Sequence, residues 1–434
     1  MRNMVLCVVL VILCYGMAFG QTEKVLWSFT GYSNDGSWGP KSGLILDKTG
    51  NLYGTTEWGG NSDPGGTCGQ SNGCGIAYEL SPNVDGTWSE TILYNFCSAS
   101  SSCPDGFEPN SPLIFDESGN LYGTTPRGGL YGGGVVFELS PQQGHGGAWT
   151  ETVLYNFCSD MVGQQCLDGD GPNGVIFDNS GNLFGTTAGG GSGHMPDGYY
   201  GGTAFELSPG SNGWTETVLY NFCSLGQGVI CPDGSVPGPP IFDKLGNLYG
   251  LATPNLQKGY ALVFKLSPNA GGWLETLAYR LSDGYEAKGA LTFDPAGDLF
   301  GVFESGEDGA VFRLNSKTGY RQANLLGSYP MAGVIYSGLQ HSLYGTTWFD
   351  AMGTNGTVFQ IGTSGIPVTL YTFCQQSNCS DGQNPDTSLV EDASGNLYGA
   401  TYEGGEHECP YGCGVVYEIT PSQPRSTRDP LLHR

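Results

Sequence analysis

Three short phrases hold the side chains best suited to binding or chemistry: Glu57-Trp58, Trp348-Phe349 and Tyr402-Glu403, each directly following a copy of one glycine-rich phrase. Tyr131, Tyr199, Tyr200 and Tyr411 stand in longer loops of the same set. Aromatic rings flanked by carboxylates and glycines suit a carbohydrate or peptide platform, because flat rings stack on apolar faces while carboxylates accept hydrogen bonds. Such rings can equally plug gaps between repeats, and both uses stay open at this point. Glu57 with Glu403 could also form the carboxylate pair of a glycosidase. Clustering of Glu57, Asp63, Glu403 and Glu406 around one pocket would favour that reading.

Other catalytic constellations are thin. Beyond the first twenty residues the histidines are His145, His194, His341, His407 and His433, no two at metal-ligand spacing. There is no Gly-x-Ser-x-Gly elbow and no phosphate loop. Asp-Gly pairs at Asp105, Asp168, Asp233 and Asp381, with relatives at Asp35 and Asp283, could offer calcium ligands, and Asp168-Gly-Asp170 is the best of them. None has the spacing of a calcium loop, and turn formation accounts for them more simply. Asp47, Asp116, Asp178, Asp243 and Asp294 likewise read as turn residues. No cofactor or metal is expected, calcium alone being left open.

The phrase that precedes these candidates is Gly-Asn-Leu-Tyr-Gly-Thr-Thr, at 50–56, at 119–125 and, with Phe184 for tyrosine, at 181–187. Worn copies centre on Gly250, Gly301, Gly345 and Gly399. A unit this small cannot bury its own apolar face and must stack on its neighbours. Each unit carries four strand-like runs, clearest at Pro112–Asp116, Leu121–Thr125, Gly134–Leu139 and Thr150–Phe157, all bounded by Gly, Pro, Asn or Ser. The pattern predicts an all-β, seven-bladed β-propeller of four-stranded antiparallel blades. The last unit lacks its fourth strand, whereas Lys24–Phe29 resembles the 152–157 run. The N-terminal strand should therefore complete the last blade and close the ring. Strand order then sends the loops after second and fourth strands to one face, and the Asp-x-x-Gly-Asn turns to the other.

Composition bounds the partners. A formal net charge of −25, from 41 acidic and 16 basic residues, argues against nucleic acid and anionic membranes. Residues 1–20 read as a signal peptide, with Arg2, an apolar run and Ala18-Phe19-Gly20; this run falls short of a membrane span. Residues 21–423 form one propeller domain and 424–434 a disordered tail. Two of the 14 cysteines lie in the signal. The other twelve fall as close pairs: Cys68 with Cys74, Cys97 with Cys103, Cys158 with Cys166, Cys223 with Cys231, Cys374 with Cys379 and Cys409 with Cys413. In an exported chain such pairs read as local disulfides, and their spacing does not suit zinc. A secreted or periplasmic monomer is expected.

The repeated phrase, a glycine-rich gap and Gly-x-Val-Phe-x-Leu-x-Pro, as at 134–141, together resemble the GloVer tandem repeat of bacterial exported proteins described as "choice-of-anchor". The resemblance covers nearly all of the chain after residue 20. It implies export and a repeat platform, usually followed by a variable C-terminal anchor, and brings no catalytic residues to carry over. Residues 421–434 have no apolar tail, so release is expected here over anchoring. The functional expectation is a binding protein for extracellular glycan or another polymer, or a protein ligand, with Glu57, Trp58, Trp348, Tyr402 and Glu403 as the site. A polysaccharide hydrolase or lyase, and a structural envelope protein, are the alternatives.

Overall fold

The computed structural model describes residues 22–421 except 32–34, 38–39, 61–65, 69–72, 99, 143–148, 195–199, 226–230, 254–260, 282–285, 306–307, 316–318, 325–328, 350–354 and 408–412. The expected signal peptide and tail, with His145, Tyr199, Asp283, Asp63, Cys409, Tyr411 and His433, lie outside the described residues. Seven antiparallel sheets follow one another along the chain, each of four strands except that the innermost strand of the seventh is in two pieces, Gln383–Pro385 and Val390–Glu391. Blade one comprises Ile45–Leu46, Leu52–Thr56, Ile76–Pro82 and Trp88–Asn95. In blade seven, Val390–Glu391, Leu397–Glu403 and Val415–Thr420 are joined by the N-terminal strand Thr22–Ser28, which pairs from Thr22↔Thr420 to Ser28↔Val415. The ring closes as the split unit requires, leaving that edge paired.

The repeated phrase is explained by what crosses it. The second-strand glycine lies opposite a third-strand ring in every blade: Gly54↔Tyr78, Gly123↔Phe137, Gly185↔Phe205, Gly250↔Phe264, Gly301↔Phe312, Gly345↔Phe359 and Gly399↔Tyr417. A Cβ at any of these glycines would overlap that ring. In five blades the ring in turn meets the phenylalanine that follows the preceding blade's fourth strand. Phe29–Tyr78, Phe96–Phe137, Phe157–Phe205, Phe222–Phe264 and Phe373–Tyr417 are edge-on pairs with centroids 4.8 to 5.3 Å apart. All ten rings are buried, so these five of the seven seams are sealed by dry aromatic contact.

The two threonines of the phrase have separate duties. The first donates across the seam to a carbonyl in or just before the next blade's innermost strand: Thr55 to Pro109, Thr124 to Pro172, Thr186 to Pro237 and Thr346 to Thr387, at 3.3 to 3.4 Å. The second bends the chain by donating to the carbonyl two residues on, as in Thr56 to Trp58 at 2.6 Å and Thr401 to Glu403 at 2.8 Å. Asp47, Asp116, Asp178, Asp243 and Asp392 are turn residues, each accepting the N–H groups two and four positions later. Because the ring has no room to yield, Gly123→Ala should destabilise the protein by about 1–3 kcal/mol in denaturant titrations; Gly119→Ala, in an open turn, pays only the strain of its positive φ.

Candidate functional site at the axial mouth

The innermost strands and the residues leading into them line a central cavity of about 470 Å³. Strand register makes Lys41, Asn110, Lys288, Met331 and Asp386 equivalent, since Ile45, Ile114, Thr292, Ile335 and Val390 all occupy one position opposite the second strand's aromatic residue. This position faces the axis, and all five residues line the cavity. Only blades one and seven, adjacent through ring closure, present opposite charges there.

Lys41 gathers the site. Its ammonium forms an ion pair with Glu57 and stands 5.4 Å from the centroid of the Tyr402 ring. Burial by itself would lower the Lys41 pKa, but the hydrogen bond and charge of Glu57, aided by Tyr402 and Asp386, raise it above its ordinary value. Tyr402 lies 5.5 Å from Trp348, the rings inclined by 40°. The Trp348 backbone is held in turn, its carbonyl accepting from Asn384 Nδ2 at 3.3 Å and its N–H donating to Tyr329 O at 2.7 Å. Burial pushes the Asp386 carboxyl up to about 7 against the opposing pull of Lys41, and its Oδ1 has no hydrogen-bond partner within the protein. Glu108 is raised by burial, opposed by Arg127, whose Nη1 is 3.1 Å away. Lys41 and Asp386 line the cavity, and through Lys41 the ion pair with Glu57 and the Tyr402–Trp348 rings adjoin it.

Of the residues singled out in the sequence, Glu57, Tyr402 and Trp348 are brought together here. Trp58 is turned away: Trp58–Gly59 pairs with Gly36–Ser37, and the indole packs on Cys68, Cys74, Cys97 and Cys103. Strand alternation separates it from Glu57. Glu403 pairs through its backbone with Gln383, and its carboxyl is raised by burial. Among the described residues no contact joins it to Glu57. Lys41 and Asp386 were missed in the sequence; the signal was opposite charges in the first and last units at a repeat position that is Asn, Pro, Pro, Lys and Met in the other five.

Five of the six expected disulfides are present: Cys68–Cys74, Cys97–Cys103, Cys158–Cys166, Cys223–Cys231 and Cys374–Cys379. Cys413 is also disulfide-bonded. The loops they staple rest on those following the second strands, as in the Phe107↔Arg127 bridge and the Gly405 N–H to Cys379 O bond of 3.0 Å. In four loops the aspartate of the Asp-Gly pair is buried and ties the loop to the fourth strand. Asp105, Asp168, Asp233 and Asp381 each accept a tyrosine hydroxyl, from Tyr94, Tyr155, Tyr220 and Tyr371, and a backbone N–H, at 2.7 to 2.9 Å.

Next to each aspartate comes a glutamate of the following blade. Burial, and then the charge of the aspartate, push Glu151 beside Asp105 and Glu216 beside Asp168 to about 8, and Glu275 beside Asp233 to about 7. Glu90 beside Asp35 rises to about 8, and Glu23 beside Asp381 to about 7 although Tyr371 opposes it. Unfolded, these carboxyls titrate near 4.5. The folded chain therefore keeps protons that the unfolded chain has lost between roughly pH 4.5 and 8, and stability must fall as pH rises through that window. The thermal transition should be lower at pH 8 than at pH 5.5, and Glu151→Gln with Glu216→Gln should flatten the dependence; an unchanged slope in that variant would remove these groups as its source.

Comparison with known proteins bears on fold and family. The profile described as the Gloeobacter/Verrucomicrobia repeat matches residues 14–229. No curated protein sequence matches the chain. Among solved structures, PorZ, a surface component of the type-IX secretion system of Porphyromonas gingivalis, aligns with a TM-score of 0.50 at 13% identity, over 91% of this chain and 47% of PorZ. The chain thus spans about half of PorZ's length. An ulvan lyase aligns with a TM-score of 0.49 at 10% identity, over 92% of this chain and 93% of the lyase. Trypanosoma rangeli sialidase gives a TM-score of 0.41 at 11% identity, over 79% of this chain and 57% of the sialidase.

Proposed function

We propose, for a chain that belongs to the Gloeobacter/Verrucomicrobia repeat family, that it is an exported propeller which binds an extracellular glycan at the axial mouth of its loop-rich face. The observation that carries this reading is the Trp348–Tyr402 ring pair beside the Lys41–Glu57 ion pair. Two inclined rings offer an apolar wall to the faces of sugar units, and the ion pair offers a donor and an acceptor to their hydroxyls. The seam between blades six and seven has its own buried pair in Phe373–Tyr417. The stapled loops hold the platform in one shape, which lowers the ordering cost of binding. The disulfides fit an oxidising compartment.

A second reading has one observation in its favour. Asp386 titrates near neutrality in the channel, as a general acid for glycosidic bond cleavage must, with Glu57 as the nearby ionisable partner. The two are separated by one experiment on the purified chain from residue 21 onward: a glycan array followed by a reducing-end assay on every bound polysaccharide. Binding without release of new ends supports the first reading; turnover lost in Asp386→Asn supports the second. Trp348→Ala with Tyr402→Ala should weaken binding by roughly thirtyfold, from about 1 kcal/mol per ring, with the thermal transition nearly unchanged. Unaltered affinity in that double variant would remove the axial mouth as the site, whereas an array with no bound glycan would leave the structural role in the envelope as the surviving alternative.

A further inference from the structure

On the turn-rich face, opposite the axial mouth, four seams are closed by tryptophan. Trp88, Trp149, Trp214 and Trp273 open the fourth strands of blades one to four and reach back to the preceding blade. The Trp88 ring is 6.5 Å from Tyr398 of blade seven, and Trp273 is 5.8 Å from Phe184 of blade three. Trp149 and Trp214 pack on the clusters holding Tyr53 and Tyr122. The indole thus covers the second-strand aromatic residue of its neighbour.

Blade six departs from this plan. Its third and fourth strands pair Phe359↔Thr369 and end at Ile361↔Pro367, whereas blade two pairs Phe137↔Val153 and continues through Leu139↔Glu151 to Pro141↔Trp149. Pro367 therefore stands where Glu151 does, and Gly365 where Trp149 does. The hairpin turns early, with the Gly365 N–H donating to Gly362 O at 2.9 Å and Gly365 at φ +71°. No indole from this strand can reach blade five. In its place a cavity of about 750 Å³ opens between blades five and six.

Its wall is apolar, built from Phe300, Phe312, Leu343 and Ile361, with Ile366 at the rim. Phe300 is the residue that a tryptophan would otherwise cover. Two nitrogen groups interrupt the wall. Arg313 is braced by Asp298, which accepts from Nε at 2.8 Å and also from Nη2, and its guanidinium carbon lies 5.7 Å from the Phe300 centroid. His341 Nδ1 lies 3.3 Å from the Tyr336 hydroxyl. Asp294, the acidic residue of the lining, already accepts the Asp298 N–H at 2.9 Å. A volume within the ordinary range for small-ligand sites, mostly apolar and bearing a few fixed polar groups, is the form such sites take.

We propose that this cavity binds a planar, multi-ring aromatic molecule carrying a carboxylate or sulfonate. The rings occupy the place of the absent indole against Phe300, and the anionic group faces Arg313 and His341. Apolar cavities left by a missing side chain accept ring compounds of matching shape, which is the general precedent for this substitution of ligand for residue.

The probe is 8-anilinonaphthalene-1-sulfonate, with neutral N-phenyl-1-naphthylamine as its uncharged counterpart, titrated by fluorescence into the folded protein. One saturable site is expected for the sulfonate. Ile366→Trp, which places an indole at the rim where the wild-type side chain is 65% exposed, should weaken it at least tenfold. Leu343→Trp, filling the cavity from its wall, should do the same if it folds. His341→Ala should weaken the sulfonate severalfold and the neutral probe little. Trp348→Ala with Tyr402→Ala should leave both probes unaffected, which separates this cavity from the axial mouth. Sulfonate affinity unchanged in folded Ile366→Trp, or lost in the axial double variant instead, would overturn the proposal.

Discussion

Everything in this ring depends on a glycine giving way to an aromatic ring. In each blade the second strand drops its side chain at one position so that the third-strand tyrosine or phenylalanine can lie across it. In blades one to four and in blade seven that ring then projects far enough to meet the phenylalanine ending the previous blade. The contact is buried and edge-on, so its strength comes from both excluded water and ring geometry. A side chain at the glycine would push the ring out of the seam and disturb two blades at once.

Once the seams are set this way, the axis becomes a place where side chains are free to vary. In four blades the first threonine of the phrase ties down the segment leading into the neighbouring innermost strand, and in five blades a residue of that segment lines the channel. Lys41 and Asp386 occupy this position on blades that are distant in sequence and adjacent in space. The disulfide loops and the buried Tyr-Asp pairs brace the same face from outside. Rigid scaffolding and local irregularity therefore meet at the mouth, which is where a preorganised site is least costly to build. The truncated blade-six hairpin follows the same rule on the opposite face: the repeat fails, and a cavity results.

The twenty-fold chemical alphabet made some of this readable in one dimension. Fold class, strand count, ring closure by Lys24–Phe29 and the five described disulfide pairs all follow from self-similarity or from short sequence separations, which chain geometry can hardly satisfy in another way. The turn role of Asp47 and its equivalents is also local, since its partners lie two and four residues on. Glu57, Tyr402 and Trp348 could be named because they interrupt a regular phrase.

What the tertiary structure alone decided is which of these irregular residues meet. Trp58 and Glu57 are neighbours in sequence and turn to opposite sides of a strand, the indole onto two disulfides and the carboxylate onto Lys41. Lys41 and Asp386 carry no motif, and their pairing with Tyr402 depends on a closure that joins the two ends of the chain. The seam carboxyls were legible only as a recurring Trp-x-Glu-Thr phrase; their proton-holding comes from burial against the preceding blade's aspartate. Spacing along a chain determines local hydrogen bonds and repeat count, whereas burial, field and the convergence of distant side chains exist only after the ring has closed.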